Sequence, residues 1–212
     1  MTPSAPHSKK ALDRFVFFSD AVFAFALTLL AVELKLPPHP GPLTSATLLE
    51  ALVASRGTAV CYVLGFVIVA SLWTRHHRLF EHVEDYDSGL VTLNFILLFF
   101  ITLIPFAIEL VSASISSPLA LAIYCGVLAC SGFSAYAVFW RLQRTPGLHA
   151  SPARGRAFLE QSARELSLPI TCVVLCVLAL FAPPHWNPKL WAASGGLMLG
   201  LRYATRRVLR TE

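Results

Sequence analysis

Apolar residues along this chain gather into long unbroken runs instead of alternating with polar ones. Runs over residues 15–36, 57–74, 89–111, 118–140, 166–183 and 188–206 approach or reach the ~20 residues that a helix needs to cross a ~30 Å hydrocarbon layer. The pattern predicts an all-α, polytopic membrane protein with six transmembrane helices, and residues 1–212 forming one membrane domain. The sixth run holds only about a dozen apolar residues before Arg202, so an interfacial position for part of it stays open. Four prolines between Pro37 and Pro42 stop the first helix, because proline lacks the N–H that a helix interior uses. The segment after them is helix-compatible and is read as an extension leading into the second span.

Composition agrees with the pattern. The chain is 56% hydrophobic and 14% charged, with a mean hydropathy of +0.64, values outside the ordinary soluble range. No length remains for a sizeable water-soluble domain. The net charge of +5 would suggest nucleic acid in a soluble protein, but here the basic residues flank the spans. Fourteen Lys and Arg residues fall on one side and only Lys35, Arg56 and Lys189 on the other. The positive-inside rule then places both termini in the cytoplasm of a cell whose inner (plasma) membrane holds the chain. Ala24-Phe25-Ala26 imitates a signal-peptidase site, yet the run continues apolar and carries Asp20, so an uncleaved first span is favoured.

The five cysteines lie inside apolar runs with no CxxC among them, and are read as packing residues rather than a disulfide framework or zinc site. Small residues recur at helix-contact spacing, at Ala192, Gly196 and Gly200 and at Gly126 with Cys130, a pattern that lets membrane helices approach closely.

The unusual feature is the carboxylate of Asp20 inside "RFVFFSDAVFAFALTLLAVEL". An ionisable group within a membrane span is costly and marks a functional site by default. At about 100° per residue, with Phe25 at zero, Phe18, Leu29, Val32 and Leu36 fall within about 40° of one line, and Thr28 lies on its shoulder. Asp20 stands about 140° away and is out of phase with Arg14, so its donors are sought on a neighbouring helix. The alternative is that Ser19 or Asp20 caps a helix starting there. Donors are available in "SLWTRHHRLFEH", where Trp73 shares a helix face with His76 or His77. Asn94 is a polar group in an otherwise apolar span and calls for an interhelical partner. His76, His77, Glu81 and His82 crowd one segment but lack the spacing of a metal site, so no metal and no cofactor is expected. The acidic residues from Glu81 to Asp87 are read as a solvated loop.

The stretch from Arg14 through Phe18, Ser19 and Asp20 resembles the R-x-x-x-F-S-D signature on the first helix of the lysosomal potassium channel family and its bacterial relatives. "LWTRHHRLF" and "NFILLFFITLIPF" resemble that family's second and third helices. The resemblance implies a potassium-permeable channel without a carbonyl filter, assembled as a homotetramer in the lipid bilayer and passing monovalent cations. It implies a pore lined by the first helix, with Phe25, Leu29 and Val32 at the constriction. Arg14, Phe18, Ser19, Asp20, Trp73, His77 and Asn94 would then brace that helix. The family pattern has an isoleucine where this chain has the bulkier Phe25. The competing readings are a proton-coupled secondary transporter relaying through Asp20 and His77, a membrane-embedded enzyme, and a structural scaffold. The transporter lacks a visible inverted repeat. The enzyme lacks a nucleophile with its base, since Ser19 beside Asp20 is not such a pair.

Overall fold

The computed structural model describes residues 6–38, 41, 44–114, 116–181, 183–186 and 189. Six α-helices follow one another: α1 Pro6–Val32, α2 Ser45–Ala54, α3 Arg56–Phe80, α4 Ser88–Ala113, α5 Pro118–Arg144 and α6 Gly155–Phe181. A single 3-10 turn, Pro184–Trp186, follows. Five of these helices are long and apolar enough to span a bilayer, α2 being the exception, and the chain is a multi-pass membrane protein. The expected sixth span, with the Ala192, Gly196 and Gly200 pattern, lies outside the described residues.

The helices outrun the apolar stretches that predict them. α1 starts at Pro6 instead of 15, α3 continues to Phe80, and α6 starts at Gly155 instead of 166. Hydropathy marks the lipid-facing length, whereas helical hydrogen bonding persists into polar flanks until a cap or breaker ends it. The same logic removes Leu36 from the stripe on the first helix, because α1 ends at Val32 ahead of the prolines. Helix starts carry side-chain caps at α2, α4 and α5. Thr44 and Thr47 form a capping box on α2, Asp87 Oδ1 accepts the Leu90 N–H at 2.7 Å, and Ser117 caps α5 ahead of Pro118. Each such cap stabilises a helix by about 1 kcal/mol.

α5 lies between α4 and α6, while α1, α3 and α4 pack on one another as a second group sharing α4. The core runs through Leu97, Ile101 and Ile104 of α4, with Leu30 of α1, Val69 of α3 and Val138 of α5, all buried. Close helix approach occurs at Gly132, where a Cβ would stand 2.7 Å from Pro169 Cδ of α6. The expected contact at Gly126 and Cys130 is not the one used. A Cβ at Gly126 would meet open space, and Cys130 is exposed. Small residues permit close approach but do not select which of them faces a neighbour.

The loop after α3 and the loop after α5 meet on the side where most basic residues lie. Glu84 N–H donates to Leu148 O at 3.0 Å and Ala150 N–H to His82 O at 3.0 Å, around an isolated bridge between Val83 and His149. The imidazoles of His82 and His149 stack there at 5.8 Å.

Candidate functional site

α1 has two faces of opposite character. Leu12, Ser19, Phe23, Ala26 and Leu30 are buried, spaced by three, four or seven residues on a single side. Arg14, Phe18, Ala21, Phe25, Thr28 and Val32 are exposed, and the same geometry sets them on the far side. Phe25 is 62% exposed and Val32 60%, whereas Leu29 is half-buried. Among the described residues this stripe stays largely uncovered at Phe25 and Val32, and Phe18 alone of it makes a ring contact, with Phe95 of α4.

The buried face is fixed by a chain of hydrogen bonds that crosses three helices. Ser19 Oγ–H donates to Phe15 O at 3.1 Å within α1. Asn94 Nδ2–H of α4 donates to Ser19 Oγ at 2.8 Å, and Asn94 Oδ1 lies 2.9 Å from His76 Nε2 of α3. Because the amide nitrogen is committed to Ser19, the amide oxygen must accept, so His76 carries its proton on Nε2. His76 Nδ1 is left a buried lone pair with no partner among the described residues. Asn94 and Ser19 are fully buried and His76 nearly so, and the His76 ring is held between Phe80, stacked at 4.3 Å, and Phe23, at 5.3 Å.

Asp20 stands at the margin of this face. Its Oδ1 accepts the Trp73 indole N–H at 2.9 Å, and the indole is stacked by His77 at 5.2 Å. Ser19-Asp20 therefore lies within α1, not at its start, and the capping alternative is excluded. Among the described residues Asp20 makes no ion pair; a neutral donor meets the carboxylate, as a partly buried acceptor requires.

Of the residues named from sequence, Ser19, Asp20, Trp73 and Asn94 come together at this junction. His77 needs correcting: it is exposed and reaches Asp20 only through Trp73, while His76 occupies the buried network. A signal for His76 exists in the chain. It falls in phase with Cys61, Gly65, Val69, Leu72 and Phe80, the buried line of α3, and His77 does not. Phe18 and Arg14 also lie outside the network. Phe18 is on the exposed side with its ring 5.6 Å from Phe95. Arg14 is exposed and makes no ion pair among the described residues. The histidines of the crowded segment diverge, with His76 inward, His77 outward and His82 stacked on His149.

Two ion pairs hold the outer rim of the same end. The Arg75 guanidinium of α3 bonds the Glu165 carboxylate of α6, with a further bond to Glu165 O at 3.3 Å. Arg141 of α5 meets Asp87 at 2.5 Å. The Arg141 hydrogen bond and the Leu90 N–H hold the Asp87 carboxyl below its ordinary range.

Known proteins are similar to this chain. A family model described as the endosomal/lysosomal potassium channel TMEM175 matches residues 14–105, the part that holds the α1 motif, Trp73, His76 and Asn94. A potassium channel of Streptomyces collinus is 29% identical over 199 residues, covering 90% of each chain. The endosomal/lysosomal proton channel TMEM175 of Homo sapiens is 32% identical over 117 residues, which are 53% of this chain and 23% of that protein. In fold, the chain is similar to the crystal structure of a lysosomal potassium-selective channel TMEM175 homolog from Chamaesiphon minutus. The TM-score is 0.68 at 20% identity, over 94% of this chain and 98% of the other. With residues 14–105 matching that family model and the likeness to a named potassium channel running through nearly the whole length, the chain is similar to members of the TMEM175 family.

Proposed function

We propose that the chain is one subunit of a potassium-permeable cation channel, a homotetramer whose pore is lined by α1. The observation that carries the reading is the exposed apolar stripe of Phe25 and Val32, with Thr28 on its shoulder, opposite a face tied down through Ser19. Four such stripes converging on an axis form a hydrophobic constriction, with half-buried Leu29 at its side. A narrow apolar ring blocks ions by excluding water and conducts when the rings withdraw. The similarity to potassium channels, named as such in Streptomyces collinus and other bacteria, supports this assignment. The network of Ser19, Asn94 and His76, with Asp20 on Trp73, then acts as a brace that sets the rotation of α1. Asp20 lies about 140° from the stripe and acts as a clamp, not as an ion ligand. Both termini lie in the cytoplasm of a cell whose plasma membrane carries the tetramer.

Proton movement is the second reading, favoured by the similarity to animal proteins named proton channels. A relay from Asp20 to His77 lacks a direct bond, because the Trp73 indole lies between them and supplies only a donor. Ion flux into liposomes holding the purified protein separates the readings. Potassium-driven flux that persists when a proton ionophore collapses the pH gradient is the expected result. Flux abolished by that collapse would replace the channel with a proton-coupled carrier.

A further inference from the structure

A cavity of about 870 Å³ lies between α3, α5 and the first turns of α6. Its size falls in the range of small-molecule sites, ~300–1,000 Å³, and far exceeds the ~30 Å³ share of a single water. The walls are amphipathic. Phe23, Leu97, Val138 and Phe139 supply apolar surface, while Arg78, Gln161 and Arg164 supply donors. Charge on the walls is unbalanced, with Arg75, Arg78 and Arg164 against only Glu160 and Glu165. Arg75 is committed to Glu165. Glu160 is shared between Arg156 at 3.5 Å and Arg164 at 3.9 Å, which leaves Arg164 weakly paired. Arg78 has no carboxylate within ion-pair distance among the described residues.

We propose that this cavity is a phosphate-binding site, with Arg78 and Arg164 on the anion and the apolar wall against the carbon chain of an anionic phospholipid. Basic pockets between transmembrane helices, on the side that carries most of the Lys and Arg residues, have this chemistry. Guanidinium groups suit phosphate oxygens because they present several donors in one plane. The cavity also touches the back of the braced helix, since Phe23 of α1 and His76 of the network line it. An occupant therefore contacts the elements that set the rotation of α1, and this contact does not depend on which ion the protein passes.

The test is native mass spectrometry of the full chain purified in neutral detergent and titrated with phosphatidylglycerol or phosphatidylcholine. Phosphatidylglycerol is expected to bind once per subunit and more tightly than phosphatidylcholine. Arg78→Gln with Arg164→Gln should weaken it about 30-fold, roughly fivefold for each arginine. Arg154→Gln, outside the cavity, should leave binding unchanged. If the double variant does not fold, Arg78→Gln alone at an exposed position is read for its roughly fivefold loss. Equal binding of the two lipids, or an Arg154→Gln loss as large as that of the double variant, would overturn the site. Displacement of phosphatidylglycerol by inorganic phosphate would support the same anion chemistry and assign it to a soluble phosphate source.

Discussion

Replacing Asn94 by alanine removes a residue of α4 whose hydrogen bonds reach both α1 and α3. Asn94 is fully buried, donates to Ser19 at 2.8 Å and accepts from His76 at 2.9 Å, so the change deletes two interhelical bonds at once. In membrane proteins such bonds average ~0.6 kcal/mol and reach ~1.7, so the loss is about 1–3 kcal/mol. The upper half of that range applies here because His76 Nε2–H is then left without an acceptor among aromatic rings. Ser19→Ala breaks one of the two interhelical bonds, along with the Ser19 bond to Phe15 O within α1, and should cost roughly half as much. Reversible unfolding in mixed micelles by added denaturing detergent measures both variants and their combination. A coupling energy of about 0.5–1.5 kcal/mol between the two positions is expected, since residues in direct contact are non-additive. Simple additivity, with Asn94→Ala inside 0.5 kcal/mol of the parent, would mean that water or another donor serves Ser19 and that the brace is not formed by this amide.

Phe25→Ala shortens an exposed aromatic side chain on the free face of α1 and should raise potassium leak in liposomes. Unchanged flux for alanine at Phe25, Leu29 and Val32 alike would remove α1 from the pore. Gly132→Ala drives a methyl group to 2.7 Å from the Pro169 ring, which is rigid, so helices α5 and α6 must separate and stability should fall by ~1–3 kcal/mol in the same unfolding assay. Gly126→Ala, with open space around it, is the matched control. Asp87 has a carboxyl pKa depressed in the folded state, so its stabilisation is present above its ordinary value of 3.8 and is lost as the pH falls through the lower folded value. Asp87→Asn should therefore flatten the acid limb of the stability profile below about pH 4, and an unaltered limb would show that the Arg141 pair does not contribute.

Much of the architecture is legible in the chain because hydropathy is a local property. Transfer of each side chain from water to lipid depends on that residue and its near neighbours, so the first five apolar runs foretell α1, α3, α4, α5 and α6. The turn of α1 and the two faces it carries are equally local, following from a fixed 100° step, and they separate Phe25 from Asp20 without any knowledge of a partner. The identity of a motif is local too, which is why the segment from Arg14 to Asp20 is informative when read alone.

Tertiary structure decided which side chains meet. Whether His76 or His77 faces Asn94 depends on the rotation of α3 about its axis, a single angle that packing of Cys61, Gly65, Val69 and Leu72 sets for the whole helix. The choice of Trp73 as the donor to Asp20 depends on the relative height of α1 and α3. So does the contact of Gly132, not Gly126, with Pro169. The cavity bounded by Arg78 and Arg164 needs three elements at fixed separations and has no counterpart in any one segment. Sequence alone determined the apolar spans and the free stripe of α1, because each arises from one helix and its solvent. The brace behind that stripe arises from the fit between helices, and only the folded bundle supplies it.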